Sequence, residues 1–296
     1  MAVRRIGFIG LGIMGRPMAL NLSKAGFDVV GYSRSPGTRD AFASGGGRLA
    51  GSVAEATAGA DIVITMLPDT PDVLDVALRP YGVFARAAKG SIFADMSTIS
   101  PHASLELAEQ GRRLGVRVVD APVSGGEMGA KEASLSIMVG GEDADFEDLR
   151  PVFAALGTTV VRVGQNGAGQ TVKAANQLIV GGTLGLLAEA ITFLEASGAD
   201  TVAALQVIAG GLAGSRVLDR KGGAMLARDF KPGFRVDLHH KDLGIVLTSA
   251  RQTGTVIPIT AVVAELMASL RANGDGALDH SAMLKAIQRL SGRAAG

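Results

Sequence analysis

A short apolar run over residues 6–9 leads directly into three spaced glycines, Gly10, Gly12 and Gly15, and then into a helical stretch over 16–25. No other feature of the chain restricts its fold as tightly. With 41 glycines in 296 residues, a G-x-G-x-x-G match can arise by accident. A strand before the glycines and a helix after them give each glycine a task. Gly10 allows the tight turn, Gly12 lets the backbone approach a pyrophosphate, and Gly15 lets helix and strand pack closely. Leu11, Ile13 and Met14 complete the loop. The helix N-terminus presents unbonded N–H groups and the positive end of its dipole to an anion. The chain is expected to open with a dinucleotide-binding unit and to take its chemistry from a nicotinamide cofactor.

Composition narrows the partners. The net charge of +1 gives no reason to expect nucleic acid or an anionic membrane surface. The absence of cysteine excludes disulfides, thiolate zinc sites and a cysteine nucleophile. The four histidines, His102, His239, His240 and His280, are scattered, and the adjacent pair cannot share a helical face, so no metal site is expected. Arg4 and Arg5 before an apolar stretch imitate a signal peptide, but the glycine pattern begins inside that stretch and no small-residue cleavage site follows. The longest uncharged helical candidate, 174–188, contains Asn176 and Gln177 and is too short to span a bilayer. A soluble cytoplasmic protein without membrane association is expected.

Strand candidates at 6–9, 29–32, 62–66, 91–95, 116–120, 136–139 and 159–163 alternate with helical segments that include 16–25, 38–43, 73–78 and 100–114. This rhythm predicts an α/β fold with a mostly parallel, doubly wound sheet of Rossmann type. Near Gly164 the rhythm stops. Helices are expected at 171–197, 201–209, 241–253, 259–273 and 281–290, punctuated by Pro232 and Pro258. The reading is an N-terminal cofactor-binding domain over 1–164, followed by an all-α domain over 165–296 for substrate binding and oligomerisation. Close packing of the two around a cleft is expected.

Four constellations carry chemistry. At the end of the second strand an NAD site usually places a carboxylate on the ribose 2′-hydroxyl. Here Ser33, Arg34 and Ser35 stand instead. A guanidinium flanked by hydroxyls suits a 2′-phosphate, so NADP is favoured over NAD, although an ordinary surface arginine fits the same residues. Ser124, Gly125 and Gly126 follow the strand ending at Asp120 and can aim backbone N–H groups and a hydroxyl at a small anion. A plain glycine-rich hairpin explains that segment equally well. Lys173, Asn176 and Gln177 have i, i+3, i+4 spacing and share a helical face. Further along, that face carries Val180, Leu184 and Leu187, which predicts a buried helix. A lysine there must be paired, lose its charge or face a wet cleft. The fourth segment, 237–243, holds His239, His240 and Lys241, which either reach the cofactor or solvate a helix start.

With these motifs in place, the chain resembles the β-hydroxyacid dehydrogenase family over its full length. The matching segments are 7–15, 120–126, 167–177 and 241–243. The family includes 3-hydroxyisobutyrate dehydrogenases and tartronate semialdehyde (2-hydroxy-3-oxopropanoate) reductases. Segments 232–243 and 278–282 look like the latter, whereas 3-hydroxyisobutyrate enzymes usually carry an aromatic residue near His280. The resemblance implies that Lys173 is the catalytic lysine and that Asn176 and Gln177 orient substrate and lysine. The second amide position is often Asn in the family. It also implies that Ser124, Gly125 and Gly126 hold the substrate carboxylate, that Leu67, Pro68 and Thr98 touch the cofactor, and that Lys241 lies near the nicotinamide end.

The implied substrate is a small carboxylate-bearing aldehyde or hydroxy acid. The implied reaction is reduction of tartronate semialdehyde to D-glycerate, with Lys173 as general acid and its pKa lowered toward working pH. A 3-hydroxyisobutyrate dehydrogenase or a broad reductase of succinic semialdehyde or glyoxylate is the second enzymatic reading. A dinucleotide-binding interaction module is the non-enzymatic one, and Lys173 argues against it. A homodimer or homotetramer is expected, because the C-terminal helices are too apolar to face water.

Overall fold

The computed structural model describes residues 4–293. Two compact units divide the chain at Lys173 and Ala174. In the first, strands and helices alternate: β1 (Arg5–Ile9), α1 (Gly15–Lys24), β2 (Asp28–Tyr32), α2 (Pro36–Ser44), β3 (Arg48–Leu49), α3 (Val53–Thr57), β4 (Ile62–Thr65), α4 (Thr70–Leu78), α5 (Val83–Arg86), β5 (Ile92–Asp95), α6 (Pro101–Leu114), β6 (Arg117–Asp120), β7 (Val123–Ser124), α7 (Gly126–Lys131), β8 (Leu135–Gly140), α8 (Asp143–Ala154) and β9 (Gly157–Gly164). The helix α9 (Ala168–Ala196) then runs across the boundary.

The sheet order is β3-β2-β1-β4-β5-β6-β8-β7, with β9 paired to β8. Neighbours from β3 through β6 are parallel, and β8 runs antiparallel to both β6 and β7. The mostly parallel, doubly wound sheet expected from the sequence is therefore present, with an antiparallel turn-back on one side. Its central strands are buried on both faces. Ile62 and Ile64 of β4 and Ile92 and Ala94 of β5 enter one core cluster, while Val63 and Phe93 enter another. That alternation is the two-residue period of a strand covered by helices on each side. Helix α3 approaches so closely that a Cβ on Gly7 would collide with the Ala56 carbonyl.

The second unit is helical among its described residues: the rest of α9, then α10 (Thr201–Ala209), α11 (Arg216–Leu226), α12 (Val236–Thr253), α13 (Pro258–Ala272), a 3₁₀ turn over His280–Ala282 and α14 (Met283–Leu290). Leu184, Leu187, Ala188 and Ile191 of α9 point into its core at i, i+3, i+4, i+7 spacing.

Helix α9 matches the helix expected at 171–197, but it corrects the reading that its uncharged part is too short to span a bilayer: at 29 residues it is long and apolar enough, by length and composition, to cross a membrane. It is also not buried all round: Ile179, Leu186 and Phe193 are exposed. The helices expected from the sequence do not include α11. There Ser215 caps the helix by accepting from the Leu218 amide, and Leu218, Gly222 and Met225 form its buried stripe.

Candidate active site

The carboxyl ends of β1, β4, β5 and β6 lie side by side in the sheet, and the strand order reverses at β1 and β4. In an open α/β sheet that reversal is where a ligand crevice forms. Gly10 ends β1 with φ +102, a conformation that favours glycine. A Cβ on Gly15 would strike the Gly10 carbonyl, so the start of α1 packs against the turn only because the residue is glycine. A Cβ on Gly12 would meet no protein atom within 4 Å, which leaves that side of the backbone open to a ligand. No side chain caps α1 at Met14, and its first N–H groups suit a pyrophosphate. Leu11 is buried and Ile13 half exposed. These residues fit a dinucleotide.

At the end of β2, Ser35 precedes α2, and its amide approaches the Ser33 hydroxyl at 3.4 Å. The Arg34 guanidinium extends from the surface and pairs with Asp72 of α4 at 3.0 Å. Beyond β4, Leu67 precedes Pro68, and its amide donates to the Ser97 hydroxyl at 2.8 Å. Beyond β5, half-buried Thr98 sits between two residues that the Gln170 side chain holds.

Ser124 ends the two-residue strand β7. Gly125 and Gly126 follow with φ +139 and +65, and α7 begins at once. The segment is thus a strand-to-helix turn and not a hairpin tip, and its left-handed glycines can turn amides outward. Lys173 is buried, and its Nζ donates to the carbonyl of Val123, the residue before Ser124, at 2.7 Å. The fold therefore brings together the lysine and the serine-glycine turn, which lie far apart in sequence.

The helix that carries Lys173 is held at its start by Asp120 at the end of β6. One carboxylate oxygen accepts from the Gly167 amide at 2.7 Å, the other from the Gln170 amide at 3.0 Å. Burial pushes the Asp120 carboxyl up to about 6, with Asp95 adding to the rise and the two amides opposing it. No Cβ is tolerated at Gly140 or Gly169, where it would press on this carboxylate.

In the second unit, Asn176 donates to the Gln177 side-chain oxygen at 2.8 Å, and Gln177 donates to Asp242 at 2.6 Å. Asp242 is buried and also pairs with Lys241 at 2.7 Å. The two amides and Lys241 are thus joined through a carboxylate that sequence reading left unassigned. Its signal was present, since Asp242 stands beside Lys241 in a matching segment. His239 is fully buried and does not solvate a helix start. Its Nδ1 lies 3.0 Å from His280 Nδ1, and its Nε2 lies 3.1 Å from the Gln177 carbonyl. Phe234 meets both imidazoles edge-on. Histidines that look scattered in sequence are neighbours here.

Residues 5–164 match the family model described as the NAD-binding domain of 6-phosphogluconate dehydrogenase. Residues 167–287 match the model described as the NAD-binding of NADP-dependent 3-hydroxyisobutyrate dehydrogenase. A 2-hydroxy-3-oxopropionate reductase of Escherichia coli is 43% identical over 287 residues, covering 97% of this chain and 98% of that one. The chain belongs to the β-hydroxyacid dehydrogenase family. A 2-(hydroxymethyl)glutarate dehydrogenase of Eubacterium barkeri is 35% identical, covering 97% of this chain and 96% of its own. Among solved structures, a 3-hydroxyisobutyrate dehydrogenase of Mycobacterium tuberculosis with L-serine superposes with TM-score 0.88 at 33% identity, covering 97% and 99% of the two chains. This β-hydroxyacid dehydrogenase is accordingly an NAD(P)-dependent oxidoreductase acting on CH–OH groups.

Proposed function

We propose that the enzyme reduces tartronate semialdehyde to D-glycerate, with NADPH as the preferred cofactor. The observation that carries the reaction is the buried Lys173 Nζ donating to the Val123 carbonyl, next to the Ser124–Gly126 turn. The substrate choice rests on the 43% identical 2-hydroxy-3-oxopropionate reductase and on the tail segment containing His280.

When bound, a nicotinamide cofactor would supply the hydride that the aldehyde carbon receives. Lys173 hydrogen-bonds the carbonyl oxygen, polarises it, and gives it a proton as the alkoxide forms. In the reverse direction a neutral Lys173 takes that proton from the hydroxyl. The Ser124 hydroxyl and the Gly125 and Gly126 amides hold the carboxylate, so the aldehyde presents one face to the hydride. Asn176 and Gln177 orient the substrate hydroxyl and the lysine from successive positions on α9, and Asp242 fixes the Gln177 amide. Gly10 to Gly15 would hold the pyrophosphate, Leu67, Pro68 and Thr98 would touch the cofactor, and Lys241 would lie near its nicotinamide end. Ser33, Arg34 and Ser35 take the 2′-phosphate. The cofactor-binding domain is assigned to 1–164 and the helical domain to 165–296.

A cytoplasmic homodimer or homotetramer completes the reading. Ile179, Leu186 and Phe193 repeat every seven residues on the exposed side of α9, the spacing of a helix that pairs with another helix.

The test is a panel of tartronate, methylmalonate and succinic semialdehydes and glyoxylate, each assayed with NADPH and NADH. Tartronate semialdehyde with NADPH should give the highest kcat/KM. Lys173→Ala should lose about 10²–10⁴ in kcat while still binding NADPH, and near-normal turnover would sink the assignment. Arg34→Ala should weaken NADPH and spare NADH. Higher kcat/KM on methylmalonate semialdehyde would favour a 3-hydroxyisobutyrate dehydrogenase, and no cofactor oxidation on any member would favour a binding module.

A further inference from the structure

We propose that Gln170 is a positioning residue for hydride transfer, tying the loop that carries Thr98 to the helical turn that carries Lys173. The inference rests on the reading above, in which Thr98 touches the cofactor and Lys173 is the proton donor.

Gln170 is 1% exposed. Its Oε1 accepts from the Ile99 amide at 3.1 Å, and its Nε2 donates to the Ser97 carbonyl at 2.7 Å. One side-chain amide thus grips the main chain on both sides of Thr98. The backbone amide of Gln170 donates to Asp120 at 3.0 Å, which locks this residue to the end of β6. Lys173 follows three residues later, about 4.5 Å further along the axis and on the same face.

The loop end is equally constrained. The Ser97 amide donates to Asp95 Oδ1 at 3.2 Å, and Thr65 donates to the same oxygen at 2.7 Å. The Ser97 hydroxyl accepts from the Leu67 amide at 2.8 Å. The loops after β4 and β5 therefore form one hydrogen-bonded body, and Gln170 is its bond to α9. This sets the distance between the loops that touch the cofactor and the group that moves the proton.

The chemistry of the contact calls for an amide. A leucine fills the same volume and makes neither bond. An ionised glutamate accepts from Ile99 but opposes the Ser97 carbonyl. A protonated glutamate restores both bonds, because its hydroxyl donates to Ser97 while its carbonyl accepts from Ile99. Misplacement of a reacting group by about 1 Å can cost ~10²-fold in rate.

Gln170→Leu and Gln170→Glu test the proposal. In the cofactor-free Leu variant, deuterium uptake over residues 97–99 should rise above wild type. With saturating NADPH and tartronate semialdehyde, kcat per bound NADPH should fall about 10–100-fold, while the aldehyde KM changes by less than about threefold. In the Glu variant, activity relative to wild type should climb as pH falls and its carboxyl protonates. A general loss of folding would lower activity without that pH-dependent rescue. Unchanged uptake over 97–99, a kcat in the Leu variant within about twofold of wild type, or a Glu-to-wild-type ratio flat with pH would each overturn the proposal. If wild type itself oxidises no NADPH on any of the aldehyde acids, the assigned reaction fails, and the exchange measurement still decides the loop tie.

Discussion

Asp120 holds a charge where burial disfavours one, and it does so to satisfy two amides at the start of α9. Its folded value of about 6 stands above the ordinary 3.8. Between these limits the folded chain keeps a proton that the unfolded chain has released. Its contribution therefore favours folding at low pH and declines as pH rises from about 4 to about 6, by up to ~3 kcal/mol. Asp120→Asn removes this decline. The unfolding free energy of the variant relative to wild type should improve between pH 4 and pH 7.5 in urea titrations, and a pH-independent difference would contradict the account. Arg34 shows a second residue-scale effect. Its partner Asp72 competes with any phosphate for the same guanidinium. An exposed pair contributes about 0–1 kcal/mol, so Asp72→Asn should raise the NADPH-to-NADH ratio of kcat/KM by up to about fivefold. Sequence showed Arg34 but not Asp72, because residues 38 apart pair only once β2 and β4 flank β1.

At the scale of elements, the sequence rhythm was legible wherever apolar period and glycine punctuation agreed. The strands β1, β2, β4, β5 and β6 and the helix α6 fall within a few residues of expectation. The short pieces were not legible. β3 and β7 span two residues each and are defined by pairing with β2 and β8, and α7 is a helix of only six residues. The 3₁₀ turn at His280–Ala282 is another such piece. Asp279 caps it through the Ser281 amide and also accepts from the Gly233 and Phe234 amides and from Lys221. Burial alone would raise the Asp279 carboxyl, but His280, Lys221 and the Phe234 amide together hold it well below the carboxylate range. Its stabilising contribution is present above pH 4 and is lost as pH falls further. Lys221→Met leaves that carboxylate buried with one partner fewer. It should cost about 1–3 kcal/mol at pH 7, read as a lower urea midpoint with an unchanged slope, and a difference that shrinks as pH falls below about 4.

For the whole molecule, the exposed row Ile179, Leu186 and Phe193 is the feature with the largest predicted effect on assembly. Phe193→Glu should move the sedimentation profile toward smaller species while leaving the helical circular dichroism intact. A wild-type monomer at micromolar concentration would remove the oligomeric reading. Sequence foresaw the apolar helix but not its exposed side, since period alone does not say which of two apolar faces a core will take. The division of the chain has a further consequence. It falls inside α9, between Lys173 and Ala174, and not in a loop. A protease finds no accessible linker there, and a fragment beginning at 174 starts without the capping carboxylate of Asp120. The two halves are therefore poor candidates for cutting and recombination. A chimera that exchanges them must keep α9 whole together with the strand end that caps it, so the portable module is larger than either compact unit.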